Sequence, residues 1–146
     1  MSGFLAAAGF FDLPSTLSVD LEGFEVDLAE VASLSSSDLV AVTAIYSEAV
    51  STDLGSYELA APDVPMMTRR WRNRIAKGYP HIVANSGDAV IGYAFARNAR
   101  ASAACDFIIE DGIYVASHAQ GAGVGRALLE ELLKICEALK FRQVIA

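Results

Sequence analysis

The sequence predicts one mixed α/β domain whose last three elements form a strand-helix-strand unit. Three observations predict it. Two stretches carry the apolar spacing of amphipathic helices, a longer third one follows a glycine-rich turn near the end, and short alternating or continuous apolar runs lie between and around them. A length of 146 residues suits a single domain with its own core, and 53% apolar against 20% charged residues is the composition of a folded globule.

Taken in order, residues 1–22 form a leader of low charge with no clear period, and the domain proper is expected over 23–146. The opening "MSGFLAAAGFFDLP" is apolar but lacks a basic start, and Asp12 and Pro14 close it early, so it reads as an arm or short helix and not as a signal peptide. "FEVDLAEV" (24–31) alternates as a half-buried strand does. A helix follows, with Ser35 and Asp38 at capping-box spacing and Leu39, Val42, Ile45 and Ala49 on one face. "STDLGSYELAAPDVP" is a loop. "MMTRRWRNRIAKGYP" is a second helix, with Pro65 in its first turn, Gly78 at its C′ position and Pro80 as its stop. Two strands then flank an Asn-Ser-Gly-Asp turn in "PHIVANSGDAVIGYAFARNA". "CDFIIEDGIYVAS" is apolar enough for a central strand, and Gly112 within it suggests a bulge or a close backbone approach. The last helix, about 123–140, stacks Leu128, Leu132, Ile135, Cys136 and Leu139 on its core side and sets Glu130 and Lys134 as an i,i+4 pair outside. "FRQVIA" is the closing strand.

Composition sets bounds on function. A net charge of −7 argues against nucleic acid as a partner. Cys105 and Cys136 are too few for a disulfide framework and form no CxxC, and Cys136 lies on an apolar helix face as a reduced core thiol would. No apolar run approaches membrane-spanning length, so no membrane partner is expected and the cytoplasm is the expected compartment. His81 and His118 stand apart in sequence from other metal-ligating residue types, so no metal site is indicated.

The glycine turn carries the chemistry. Gly121, Gly123 and Gly125 lie between a strand and a helix, where glycine lets backbone N–H groups approach a ligand and the helix start favours an anion such as a phosphate or diphosphate. A dinucleotide fingerprint fails here, because its third glycine position falls on Arg126 and its acidic partner some 20 residues on falls on Phe141. A P-loop needs G-K-[ST], which the chain lacks. What remains is Q-x-x-G-x-G, from Gln120 to Gly125.

With its strand, this turn reads "EDGIYVASHAQGAGVGRALLEEL", which resembles the acetyl-CoA-binding core of the GCN5-related N-acetyltransferases, the GNAT superfamily. The resemblance is closest to the branch with phosphinothricin and methionine sulfone acetyltransferases, whose pattern runs roughly E-D-S-V-Y-V, a short loop, then R-G-x-G-x-G-R-A-L-L. "AIYSEAV", "TRRWRNRIAKGYPHIVA" and "GYA" fit the same branch in the same order, so the likeness runs from about residue 24 to the end. It implies a mixed, mostly antiparallel sheet with a β-α-β core for acetyl-CoA. It implies that Gln120, Gly121, Ala122, Gly123, Val124, Gly125 and Arg126 cradle the diphosphate, and that Ile113, Tyr114 and Val115 pair with the pantetheine arm like an added strand. A bulge at Gly112 would splay this strand from "FRQVIA" and open a slot for the arm. By the same resemblance Glu110 is the general base, acting through a water, with Asp111 a solvated neighbour. Arg69, Arg70, Trp71, Arg97 and Arg100 are candidates to shape the site of an amino-acid-like acceptor, whose carboxylate an arginine can grip bidentately. Before Glu110 the chain has "ACDF" where the branch tends to carry A-Y-R-x, a departure that bears on the acceptor more than on the cofactor.

The resembling family continues past "FRQVIA" with a further helix and two strands, which usually supply a tyrosine for the leaving thiolate and one wall of the acceptor site. The expectation is therefore a C-terminally truncated domain: an N-acetyltransferase moving acetyl from acetyl-CoA to the primary amine of a small amino-acid-like molecule. The alternatives are an acyl-CoA-binding module without turnover, or a structural subunit completed by a partner chain. An edge strand and a bare helix flank at the end predict association into a homodimer or larger species.

Overall fold

The computed structural model describes residues 16–21, 24–30, 34–52, 58–99 and 107–146. Six strands form one sheet in the order β1 (Thr16–Leu21), β2 (Phe24–Glu30), β3 (His81–Ser86), β4 (Ala89–Asn98), β5 (Ile108–Val115) and β6 (Gln143–Ile145). Every neighbouring pair is antiparallel except β5 and β6, which run parallel. The connection between those two is α3 (Val124–Ala138), which gives the expected strand-helix-strand unit. Helices α1 (Ser36–Ser51) and α2 (Val64–Ala76) lie between β2 and β3 in the chain. Among the described residues no helix is long and apolar enough to cross a membrane.

Local chemistry sets the element ends. Ser35 caps α1 and accepts from the Asp38 N–H, while Asp38 accepts in return from the Ser35 N–H, the capping box read from the sequence. Helix α2 starts two residues before the expected Met66. Asp63 caps it and accepts from the Met66 N–H at 2.8 Å, with Pro65 in the first turn, where no N–H is needed. Gly78 ends it with φ +80°. The β3–β4 hairpin turns on Gly87 and Asp88 between the paired Ser86 and Ala89, and Gly87 supplies the positive φ of +59°.

Two expectations differ from the fold. The leader was read as periodless to residue 22, yet Thr16–Leu21 is an edge strand paired with β2 from Thr16↔Ala29 to Leu21↔Phe24. In it Val19 and Leu21 pack on the core while Ser18 and Asp20 stay exposed. The six residues do alternate, but they follow a longer apolar stretch that hides the period. The rest of the leader, with Arg100 and Cys105, lies outside the described residues. The second difference is Gly112, which forms no bulge. The β4–β5 register is unbroken from Gly92↔Val115 to Asn98↔Ile109, and the bulge lies in β3–β4, between Ala84 and Asn85. Gly112 instead gives room to a side chain, since a Cβ there would stand 2.4 Å from Phe95 Cζ. On the surface of α3 the expected Glu130–Lys134 pair is replaced by Arg126–Glu130 and Lys134–Glu131.

The sheet separates two cores. On one face Val26, Leu28, Ile82, Ala94, Ala96 and Ile109 meet Val124, Leu128, Leu132, Ile135 and Cys136 of α3. Gly92 faces the same helix, and a Cβ there would sit 3.2 Å from the Leu128 side chain, so the missing side chain lets α3 lie close. On the other face Val42, Ile45, Tyr46 and Met67 of α1 and α2 cover an aromatic ladder. His81 stacks on Tyr93 (5.8 Å, 4°), Tyr93 on Tyr114 (5.4 Å, 25°), and Tyr46 meets Tyr114 edge-on at 4.9 Å. Phe95 belongs to the ladder and is pinned over Gly112.

That pinning makes a prediction. Gly112→Ala should destabilise the fold by about 1–3 kcal/mol, because the Phe95 ring is held by its stacking partners and cannot swing clear cheaply. Urea unfolding measures it, and Phe95→Leu in the same chain should recover part of the loss, a coupling seen only if the two groups collide.

Candidate active site

Strand β5 leads into the glycine turn through a short 3-10 turn, Ser117–Ala119. Gly121 (φ +79°) and Gly123 (φ +96°) both adopt the left-handed backbone that glycine tolerates. Gly123 is the cap of α3 and brings no side chain to the first turn, so the N–H groups of Val124, Gly125 and Arg126 meet no side-chain cap and point outward. The Gln120 side chain donates to the Val115 carbonyl at 3.0 Å and ties the turn to the end of β5. An open recess of about 420 Å³ results, lined by Ile113, Val115, Ala119, Gln120, Gly121, Gly123, Val124, Gly125 and Arg126. All but two of the residues expected at the cofactor line it. Ala122 does not, and the Tyr114 side chain packs into the aromatic ladder on the other face.

Strand β5 has an open edge beside this recess. Ala99 N–H donates to Ile108 C=O and Ala116 N–H to Ile91 C=O, so the even-numbered residues of β5 turn their backbone groups toward β4. The odd-numbered ones face the β6 side. Strand β6 pairs only with Ile108–Glu110. Among the described residues no strand covers the outward N–H and C=O of Ile113. No bulge splays β5 from β6, which pair in register over Ile108–Glu110.

Glu110, two residues before Gly112, faces the α1–α2 side. Arg97, its partner across β4, donates to it at 2.9 Å, with the two side chains 53% and 36% exposed. The structure thus brings Arg97 and Glu110 together. Asp111, expected to be solvated, points to the opposite face, where one carboxylate oxygen is buried without a partner and burial raises its pKa. Burial of the Cys136 thiol, with the Asp111 charge adding to it, pushes that thiol up to about 12.

These features coincide with a sequence match. Residues 42–146 match the model of the family described as "Acetyltransferase (GNAT) family". The chain belongs to the GNAT acetyltransferase family. It is 41% identical over 109 residues to a phosphinothricin N-acetyltransferase of Alcaligenes faecalis, covering 75% of this chain and 55% of that protein. It is 30% identical over 96 residues to an L-methionine sulfoximine/L-methionine sulfone acetyltransferase of Salmonella typhimurium, covering 66% and 56%. A crystal structure of a GNAT superfamily phosphinothricin acetyltransferase from Sinorhizobium meliloti in complex with AcCoA superposes with a TM-score of 0.76 at 39% identity, over 82% of this chain and 63% of that one. The chain spans little more than half the length of the two named relatives.

Within this GNAT fold, the remaining acceptor-site candidates divide. Arg69 is exposed and borders a shallow recess with Val64, Pro65, Thr68 and Arg72, on the side of α2 away from the ladder. Trp71 is buried, with its indole N–H unpartnered. Arg70 faces inward and grips Glu58 with both terminal nitrogens, at 2.5 and 3.1 Å, and Tyr46 donates to the same carboxylate at 2.6 Å. The Arg70 hydrogen bonds hold the Glu58 carboxyl below its usual range. Glu58 lies 12 residues from both partners, in the stretch the sequence gives only as a loop, so no local pattern marks it.

His81 was expected simply as a strand residue. It is 1% exposed, its Nδ1 has no partner, and burial, helped by nearby Arg74, holds its pKa down to about 3 from 6.5. The folded state keeps it neutral where the unfolded chain takes a proton. The stability tied to this difference is complete above about pH 6.5 and is lost as the pH falls toward 3, at up to about 1.4 kcal/mol per pH unit. His81→Phe, which keeps a stacked ring, should flatten the decline in unfolding free energy between about pH 6 and pH 4. Urea titrations at several pH values check it, and an unchanged slope would assign the acid sensitivity to other groups.

Proposed function

We propose that this chain is an N-acetyltransferase domain that takes acetyl-CoA and acetylates the primary amine of a small amino-acid-like substrate. One observation carries the reading: a single strand, β5, joins the glycine cradle at its end, the open backbone edge at Ile113, and the Glu110 carboxylate. The cradle fits a diphosphate. Gly121 and Gly123 hold positive φ, and the first turn of α3 offers uncapped N–H groups with no acidic side chain among them. The family membership and the AcCoA-bound relative support the same assignment.

When bound, acetyl-CoA supplies the acetyl group as an activated thioester. The N–H groups from Gly121 to Arg126 hold its diphosphate, and the N–H and C=O of Ile113 pair with the amides of its arm as a neighbouring strand would. An N–H of the Ile113–Val115 stretch bonds the thioester oxygen in this reading. Glu110 removes a proton from the acceptor ammonium through a water, and Arg97 holds the carboxylate in place between turnovers.

Two outcomes test the reading. Gly123→Val puts a β-branched side chain at φ +96°, which strains the cap and misdirects the N–H groups, so affinity for acetyl-CoA should fall severely in a calorimetric titration. Equal affinity would mean that the cradle lies elsewhere. Glu110→Gln should leave that affinity nearly unchanged and lower turnover by about 10²–10⁴-fold at neutral pH, with the deficit shrinking at high pH as the amine loses its proton unaided. Thiol release across a panel of amines measures it. Full activity of the variant at neutral pH would remove Glu110 from the reaction, and binding without any turnover in the parent would favour the acyl-CoA-binding module.

A further inference from the structure

Three arginines converge on the ladder side of the sheet, and only two are matched. Arg70 is held by Glu58 and Arg97 by Glu110. Arg74, one turn along α2 from Arg70, has no hydrogen bond or ion pair from its guanidinium to any described residue. Its Cζ stands over the Phe95 ring, 3.7 Å from the centroid. It is half-buried, and burial draws its pKa down to about 10. The Tyr93 hydroxyl in the same ladder is buried without a partner, close enough that the Arg74 charge opposes the rise burial imposes on the phenol.

A half-buried cation whose donors meet no described residue is costly to keep. The chain has a net charge of −7, yet among the described residues no acid pairs with this one. Contact with the ring restrains the guanidinium, whose five donors form a rigid planar fork. The complement of such a fork is a planar two-oxygen anion. Its place along the sheet matters as well. Arg74 covers Phe95, Phe95 covers Gly112, and Glu110 stands on the same side of β5 two residues on, roughly 6–7 Å along the strand.

We propose that Arg74 is a specificity residue that receives the carboxylate of the acceptor, so that the neighbouring amine is presented toward Glu110. This rests on the acetyltransferase reading above. It also moves the anion-binding role from Arg69 and Arg70, named by the sequence, to the next inward position of the same helix. Arg69 is turned to solvent and Arg70 is already occupied by Glu58.

The test compares L-methionine sulfone with its carboxamide, which differ only in the anionic group, by calorimetry on the full chain with and without CoA. Arg74→Met keeps an apolar, sulfur-containing chain over the ring. It should weaken binding of the carboxylate probe about tenfold or more and shift the carboxamide less than about twofold. Arg74→Lys should restore part of the loss. The melting temperature of Arg74→Met should not fall, because no partner is left behind. Equal losses for both probes, a lower melting temperature with no selective loss, or a parent that binds neither probe would each overturn the assignment. A separate acetyl-CoA titration of the parent judges the acetyltransferase reading. If it shows no binding, that reading fails while the probe titrations without CoA still decide Arg74. If it binds and the probes are not discriminated, Arg74 alone is lost.

Discussion

The register of β5 against β4 is the constraint on which the rest depends. Seven residue pairs run without interruption, and their parity fixes two things at once. Even-numbered residues of β5 send their backbone groups to β4 and their side chains, Glu110 and Tyr114, toward α1 and α2. Odd-numbered residues send backbone groups to the open edge and side chains, Ile109 and Ile113, into the α3 core. A slip by one residue would bury Glu110 under α3 and turn the outward amide of Ile113 into the sheet. The contact of Phe95 with Gly112 guards against that slip, since a shifted register would press the ring against a neighbour that has a Cβ.

The two faces of the sheet are held by different physics. The α3 side is aliphatic and closely packed, with Leu128 and Leu132 fully buried. It anchors the helix whose first turn borders the glycine recess. The α1–α2 side mixes aromatic stacking with half-buried ions, and the polar atoms of Trp71, His81 and Tyr93 are buried there without partners. Unpaired groups of this kind cost stability. Of the four such groups among the described residues, three gather on the face that carries Glu110 and Arg97, and Asp111 alone lies on the α3 side.

What could be read from the sequence was whatever is decided within a few residues. The capping box at Ser35, Pro65 and Gly78 at the two ends of α2, the Gly87 turn and the glycine turn before α3 depend on local backbone needs, and all appear where read. Gly112 shows where such reading stops. Glycine signals that a Cβ is unwelcome, but the sequence does not say whether backbone curvature or a ring from the next strand excludes it. The arginines show the same limit. Arg69, Arg70 and Arg74 look alike in "TRRWRNR", and only the packing of α2 and the distant Glu58 turn one outward, neutralise the second and strand the third on an aromatic ring. Strand β1 escaped notice because its alternation is short and its partner, β2, is what makes it a strand.

The Gln120 contact with Val115 has a consequence of its own. By occupying that carbonyl it closes the edge of β5 at one end, as β6 closes it at Glu110 on the other. Between these stops, among the described residues, the outward N–H and C=O of Ile113 meet no strand. The edge therefore works as a ruler. An extended guest held as proposed would register there with one amide repeat against Ile113, its reactive end at a fixed distance from the glycine turn. Lengthening the turn between Val115 and Gly121 would move the zero of that scale and leave its divisions unchanged.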